Sequence, residues 1–246
     1  QSVKVDGQLS NAPGKHLAIN IQDFDMDNLN SISPLALSGV INGAFEVHKL
    51  ENEFVVESTL WAQGIHLEEF LVGDIHATSV WQSTFDRLKV DFGVDRKNNK
   101  IINIDGFIYP LSKENQLALK AHFDQANLDI AEPFLQKKFS NLSGLASGSF
   151  DITGQFLSPN LLGSGKLEQG QVTVDYLNTS YSFDGDLVFA ENEIGVSNLD
   201  LQDNEKNHAV LNGGIFHDGF RNFILDIEGK YTNFKVLNTS STDNKL

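Results

Sequence analysis

Leu88-Lys89-Val90-Asp91-Phe92, the turn formers Arg96-Lys97-Asn98-Asn99, and then Ile102-Asn103-Ile104 spell a strand, a reversal and a strand. Apolar and polar side chains alternate with period two, so each strand buries one face and wets the other. The same alternation recurs at Val3-Lys4-Val5, Leu17-Ala18-Ile19-Asn20-Ile21, Ala44-Phe45-Glu46-Val47, Gln171-Val172-Thr173-Val174-Asp175 and Phe223-Ile224-Leu225-Asp226-Ile227. Further turn signals stand at Asn11-Ala12-Pro13-Gly14, Asp203-Asn204-Glu205-Lys206-Asn207 and His217-Asp218-Gly219. The chain therefore reads as all-β, with about fifteen strands. Helical spacing is expected only where Leu128, Ala131, Leu135 and Phe139 share a side, with Pro133 near the start, and in a smaller counterpart over Leu29 to Leu37.

A repeat organises these strands. Asp6-Gly7 and Phe24-Asp25-x-x-Asn28-Leu29 with Pro34 return as Asp105-Gly106 and Phe123-Asp124-x-x-Asn127-Leu128 with Pro133, an offset of 99 residues. Leu37-Ser38-Gly39-x-x-x-Gly43-x-Phe45-Glu46-Val47 returns as Leu142-Ser143-Gly144-x-x-x-Gly148-x-Phe150-Asp151-Ile152, offset 105. Asn212-Gly213 opens a third copy, in which Phe223-x-Leu225-x-Ile227 matches Leu117-x-Leu119-x-Ala121 and Asn233-Phe234 stands for Asn127-Leu128. Units of approximately 1–100 and 101–209, with the start of a third over 210–246, are expected to form one continuous β-repeat array of which these residues are a fragment. Gly39, Gly43, Gly144 and Gly148 are expected to permit bends or close backbone approach.

Composition narrows the chemistry. The chain has 246 residues with a formal charge of −15, no cysteine and 40% apolar residues. That acidity disfavours nucleic acid and anionic bilayer surfaces. Absent cysteine removes disulfides, thiolate zinc sites and cysteine nucleophiles. No stretch approaches the roughly 20 apolar residues of a spanning helix. The chain opens at Gln1 without Met or leader, so a targeting segment is expected to have been removed or to lie upstream. His16, His48, His66, His76, His122, His208 and His217 are scattered without a metal-binding pair spacing. Asp23-Phe-Asp25-Met-Asp27-Asn28 resembles the opening of a calcium loop, but Asn28 replaces the turn glycine and Pro34 stands where a bidentate Glu is needed. Gly144-Leu-Ala-Ser147-Gly148 has the wrong spacing for a nucleophile elbow, and Gly163-Ser-Gly165 lacks the third glycine of a phosphate cradle. Glu68-Glu69 and Glu191-x-Glu193 leave a glycosidase-type pair open. No catalytic, cofactor or metal-binding residues emerge, and the chain is expected not to be an enzyme.

Phenylalanine dominates the aromatics, 18 against 4 Tyr and 2 Trp. Phe carries no hydrogen-bonding handle, so the balance favours contact with apolar matter over sugar, and Trp61 and Trp81 are expected in the core. If the units stack edge to edge, their apolar faces line up into a trough able to hold an acyl chain. Closure into a sandwich would bury the same residues against each other.

The unit of alternating strand, Asn-Leu, short Pro-containing helix and Leu-Ser-Gly-x-x-x-Gly-x-Phe-[Asp/Glu]-[Val/Ile] resembles the AsmA-like repeats of bacterial TamB-type translocation and assembly proteins. Gly163-x-Gly165-x-Leu167, Phe183-x-Gly185, Leu199-x-Leu201-x-Asp203, Ala209-x-Leu211-x-Gly213 and Phe234-Lys235-Val236-Leu237-Asn238-Thr239 add to the likeness. The resemblance implies an elongated, curved antiparallel sheet forming a groove that conducts phospholipid between inner and outer membrane. It also implies a periplasmic location, an inner-membrane anchor outside these residues, and an outer-membrane barrel partner of the TamA type. The groove lining is expected at the alternating apolar positions shared between copies: Leu17, Ile19, Ile21, Phe45, Val47, Leu117, Leu119, Phe150, Ile152, Phe223, Leu225 and Ile227. A structural, adhesin-like β-sandwich is the alternative reading, and a glycan-binding or glycan-acting β protein the second.

Overall fold

The computed structural model describes residues 1–8, 15–31, 36–50, 53–97, 99–134, 139–218 and 221–239, with backbone alone at 49–50, 53–54, 132–134, 221 and 223. The turn residues 11–14, together with Pro34, Leu35, Asn98, Leu135 and Gly219, lie outside the described residues. The chain is all-β. Fourteen strands were found among the described residues: β1 (Ser2–Gly7), β2 (His16–Asp25), β3 (Leu37–Leu50), β4 (Glu53–Leu67), β5 (Phe70–Gln82), β6 (Arg87–Arg96), β7 (Asn99–Ile108), β8 (Leu117–Asn127), β9 (Phe139–Gln155), β10 (Ser158–Val174), β11 (Thr179–Ala190), β12 (Glu193–Gln202), β13 (His208–Asp218) and β14 (Arg221–Tyr231). They are antiparallel and hydrogen-bonded in chain order.

Two compact units share these strands. The first comprises residues 1–122 and 152–159, the second 123–151 and 160–246. In the first unit Leu17, Ile19 and Ile21 of β2 face Val47, Phe45 and Gly43 of β3, which in turn face Val56, Ser58 and Leu60 of β4, and Ile41 faces Ala62. Ile75 and Ala77 of β5 pair with Val94 and Phe92 of β6, which in turn pair with Ile102 and Ile104 of β7. Opposed residues in an antiparallel ladder share a face. The unit therefore has one apolar face and one polar face, the latter carrying Lys4, Glu46, Glu57, Asp91 and Asp105.

Alternation survives along these long strands because bulges correct it. Between Ile21 and Phe24 the register slips by one residue, and Phe24 opposes Ile41 on the apolar side. The extra residue has Asp23 at φ 51°, and its N–H donates to Asn42 Oδ1 at 2.9 Å. Gly64 between Ala62 and Ile65 (φ 59°) is held by Asp74 Oδ1, Gln169 between Leu167 and Gly170 (φ 53°) by Asp184 Oδ1, and Asn198 between Val196 and Leu199 (φ 50°) by Asn212 Oδ1, each at 2.8 Å. Gln125 (φ 50°) donates likewise to Ser147 Oγ at 3.0 Å. At the four register shifts a side chain of the following strand satisfies the N–H that the bulge removes from the ladder.

Gly7, Gly106 and Gly213 share another geometry. Each has positive φ (90°, 140° and 140°), and a Cβ on it would overlap a carbonyl oxygen of the next strand: His16, Ala118 and Asp226 respectively. Gly39 and Gly144 are also left-handed, at φ 125° and 117°, whereas Gly43 and Gly148 admit close backbone approach only.

The expected short helices take 3₁₀ form, and their extents to Phe139 and Leu37 are corrected. Leu128–Phe134 is a short 3₁₀ turn, and Phe139 already belongs to β9. Its counterpart is a 3₁₀ turn over Met26–Leu29, with Leu37 opening β3. Asp25 is spent locally there: its carboxylate accepts the Asp27 N–H at 3.0 Å and its carbonyl accepts Asn28 Nδ2. The three aspartates of that stretch thus serve a bulge and a turn start.

Candidate apolar face

The apolar face of the first unit has no second layer over it among the described residues of that unit. Ile19 is only half-buried, and its lateral neighbours Val5 and Phe45 are 65% and 36% exposed. Leu17, Ile21 and Val47 are half-buried too. Burial deepens near β6 and the bulges, where Ala62, Ile65 and Val94 are nearly inaccessible. Leu117 is buried; Leu119 is half-buried and lies against Gly106, on the apolar side. Ile152 is half-buried in the first unit.

In the second unit Thr179, Tyr181, Phe183, Gly185, Leu187 and Phe189 of β11 define the apolar face, opposed by Ile194, Val196 and Leu201 of β12. Phe150 is central to it. Its ring meets Phe123 edge-on at 5.6 Å and Phe189 at 4.9 Å. The Phe150–Phe189 contact passes over β10, where Gly163 opposes Phe189 and Gly165 lies beneath the Phe150 ring, so no side chain stands between them. Leu225 and Ile227 of β14 oppose Ile215 and Gly213; Leu225 is 66% exposed. The Phe223 side chain lies outside the described residues.

One end of this second face is covered by the chain itself. After β14 the segment Thr232–Thr239 lays Phe234 parallel on Tyr181, ring centroids 5.3 Å apart. The Tyr181 hydroxyl donates to the Lys235 and Val236 carbonyls, and the Asn238 N–H donates to Leu177 O. Burial pushes the Tyr181 phenol up. Asp203, itself buried, anchors the segment by accepting the Lys235 N–H at 2.8 Å. Burial pushes the Asp203 carboxyl up, but the N–H groups of Lys235, Asn207 and Glu205 and the Asn207 amide outweigh it and hold the pKa down to about 2.

The positions selected from shared repeats thus fall on apolar faces wherever the register fixes them, divided between the two units. Reasoning from shared positions missed much of each face: Leu60, Ile75, Val90, Phe92 and Ile104 in the first unit, Phe183, Leu187, Phe189 and Val196 in the second. Their own alternation was the available signal. The expectation that both tryptophans are core is corrected for Trp61. Trp81 continues the Ile75, Ala77, Ser79 side of β5, but Trp61 opposes Asn42 and His76 on the polar face and is 52% exposed. Comparison with family models, curated proteins and solved structures finds no match to the chain.

Proposed function

We propose that this chain is part of a non-enzymatic lipid-conducting β-groove, whose apolar faces receive phospholipid acyl chains while the acidic faces meet water. The observation that carries this reading is the half-exposure of Ile19, Phe45 and their neighbours on a face that is apolar from β1 to β7 apart from the Ser58–Ser79 pair, whose hydroxyls bond each other at 2.7 Å. Such a face gains about 0.8 kcal/mol for each methylene it removes from water, with no directional contact required. A chain can therefore slide along it. The resemblance to TamB-type proteins points the same way, and implies the periplasmic setting, inner-membrane anchor and barrel partner as expectations for the longer protein.

A photocrosslinking amino acid placed at Ile19, Phe45 or Phe92, and in parallel at Asn20, Glu46 or Asp91, tests the reading in cells. Lipid adducts are expected from the first set and not from the second. Equal labelling of both sets, or none from either, overturns it, and the latter together with a sealed core favours the sandwich.

A further inference from the structure

The polar face of the first unit carries a feature that acyl-chain binding does not use. A cross-strand row runs Asn42, Trp61, His76, Gly93, Asn103 from β3 to β7. Trp61 stands on a polar face at 52% exposure. His76 beside it is held down. Gly93 supplies the space: a Cβ there would overlap Cε1 and Nε2 of the imidazole, so the ring lies across β6. Asp95 Oδ2 fixes its Nδ1 at 3.1 Å. Beyond the ring, Lys100 Nζ donates to Asn103 Oδ1 at 2.6 Å. Asn42 Oδ1 is committed to the Asp23 N–H, which orients its amide.

We propose that Trp61 and His76 form a platform for a neutral, ribbon-like glycan of equatorially substituted pyranoses, such as β-1,4-linked glucose. An exposed indole offers a flat apolar surface that matches the C–H face of such a ring, and it is flanked by amide and imidazole groups able to meet the equatorial hydroxyls. Trp61 and His76 stand on consecutive strands about 4.8 Å apart, and the imidazole reaches on over Gly93, so an extended ribbon laid across β4 to β6 meets both. Neutrality follows from the charge: Asp74, Asp91, Asp95 and Asp105 outnumber Lys89 and Lys100 on the same face, which disfavours phosphorylated or carboxylated sugars. The site lies on the opposite side of the sheet from the acyl-binding face, so it does not depend on that proposal.

The test uses the two tryptophans separately. In W81F, where Trp61 is the sole reporter, cellohexaose shifts the indole emission to the blue and saturates; in W61F, where Trp81 reports, it does not. Calorimetry gives affinities roughly tenfold weaker or worse for W61A and H76A, with far-ultraviolet circular dichroism unchanged because both sites are at the surface. Maltohexaose, a curved chain, binds more weakly than cellohexaose. Absence of a shift in W81F, a shift retained in W61F, wild-type affinity in H76A, or equal affinity for the two sugars would each overturn the assignment.

Discussion

Replacing Ile19 by Asp distinguishes an open apolar face from a sealed one. Burying a whole Ile side chain contributes about 1.5–3 kcal/mol, so a half-buried Ile19 contributes about 1. Asp in place of a β-branched residue adds up to about 1 kcal/mol in a strand. The carboxylate reaches water between Val5 and Phe45, so no desolvation cost follows. The total is about 2 kcal/mol, a fall of roughly 4–8 °C in Tm for a chain of this size. Val94→Asp is the reference: at 2% exposure it loses the full transfer free energy and strands a carboxylate, about 4 kcal/mol or more. Urea unfolding followed by circular dichroism measures both. If Ile19→Asp is as costly as Val94→Asp, the face is sealed in solution and the groove reading fails.

Other perturbations act on single features. Asn42→Ala and Asn212→Ala each remove the acceptor of a bulge N–H and cost about 1 kcal/mol in urea unfolding, whereas Asn→Asp at either position, which keeps the acceptor, costs less. Glu46 and Glu57 are directly opposed, so Glu57→Lys turns a repulsion into an attraction; the gain, about 0.5 kcal/mol at low salt, shrinks in 1 M NaCl. Asp203 has its carboxyl lowered to about 2, below its unfolded value, so its contribution is present above about pH 4 and is lost as pH falls towards 2. Limited proteolysis by an acid-active protease is expected to release the segment after β14 in that window, and in Asp203→Ala at neutral pH with trypsin; wild-type resistance of the variant refutes the anchoring role.

The class of fold was legible because period-two alternation is a direct imprint of a half-wet sheet, as in Leu88–Phe92 and Ile102–Ile104. The bulges were not. A three-residue step such as Ile21 to Phe24, or Ala62 to Ile65, imitates helical spacing, and its correction comes from a partner on another strand, Asn42 or Asp74, that no local pattern announces. The same ambiguity explains the helix expected through Phe139, where a 3₁₀ turn and a strand start together matched the spacing. Shared repeat positions located parts of each apolar face but included none on β4 to β6. Trp61 escaped because the side a Trp occupies depends on strand phase, which Gly64 shifts two residues beyond Ala62. The docking of Phe234 on Tyr181 joins residues too far apart for pattern to connect.

The capped bulges also dictate how the chain tolerates changes of length. Removing one residue from inside a regular strand inverts everything beyond it, sending greasy side chains to the wet side. Removing Asp23, Gly64, Gln169 or Asn198 instead restores uninterrupted alternation and leaves both sides as they were. These four places are where shortened descendants of this sequence would keep their amphipathic sense, while a deletion at Asn20 or Asp91 would scramble it.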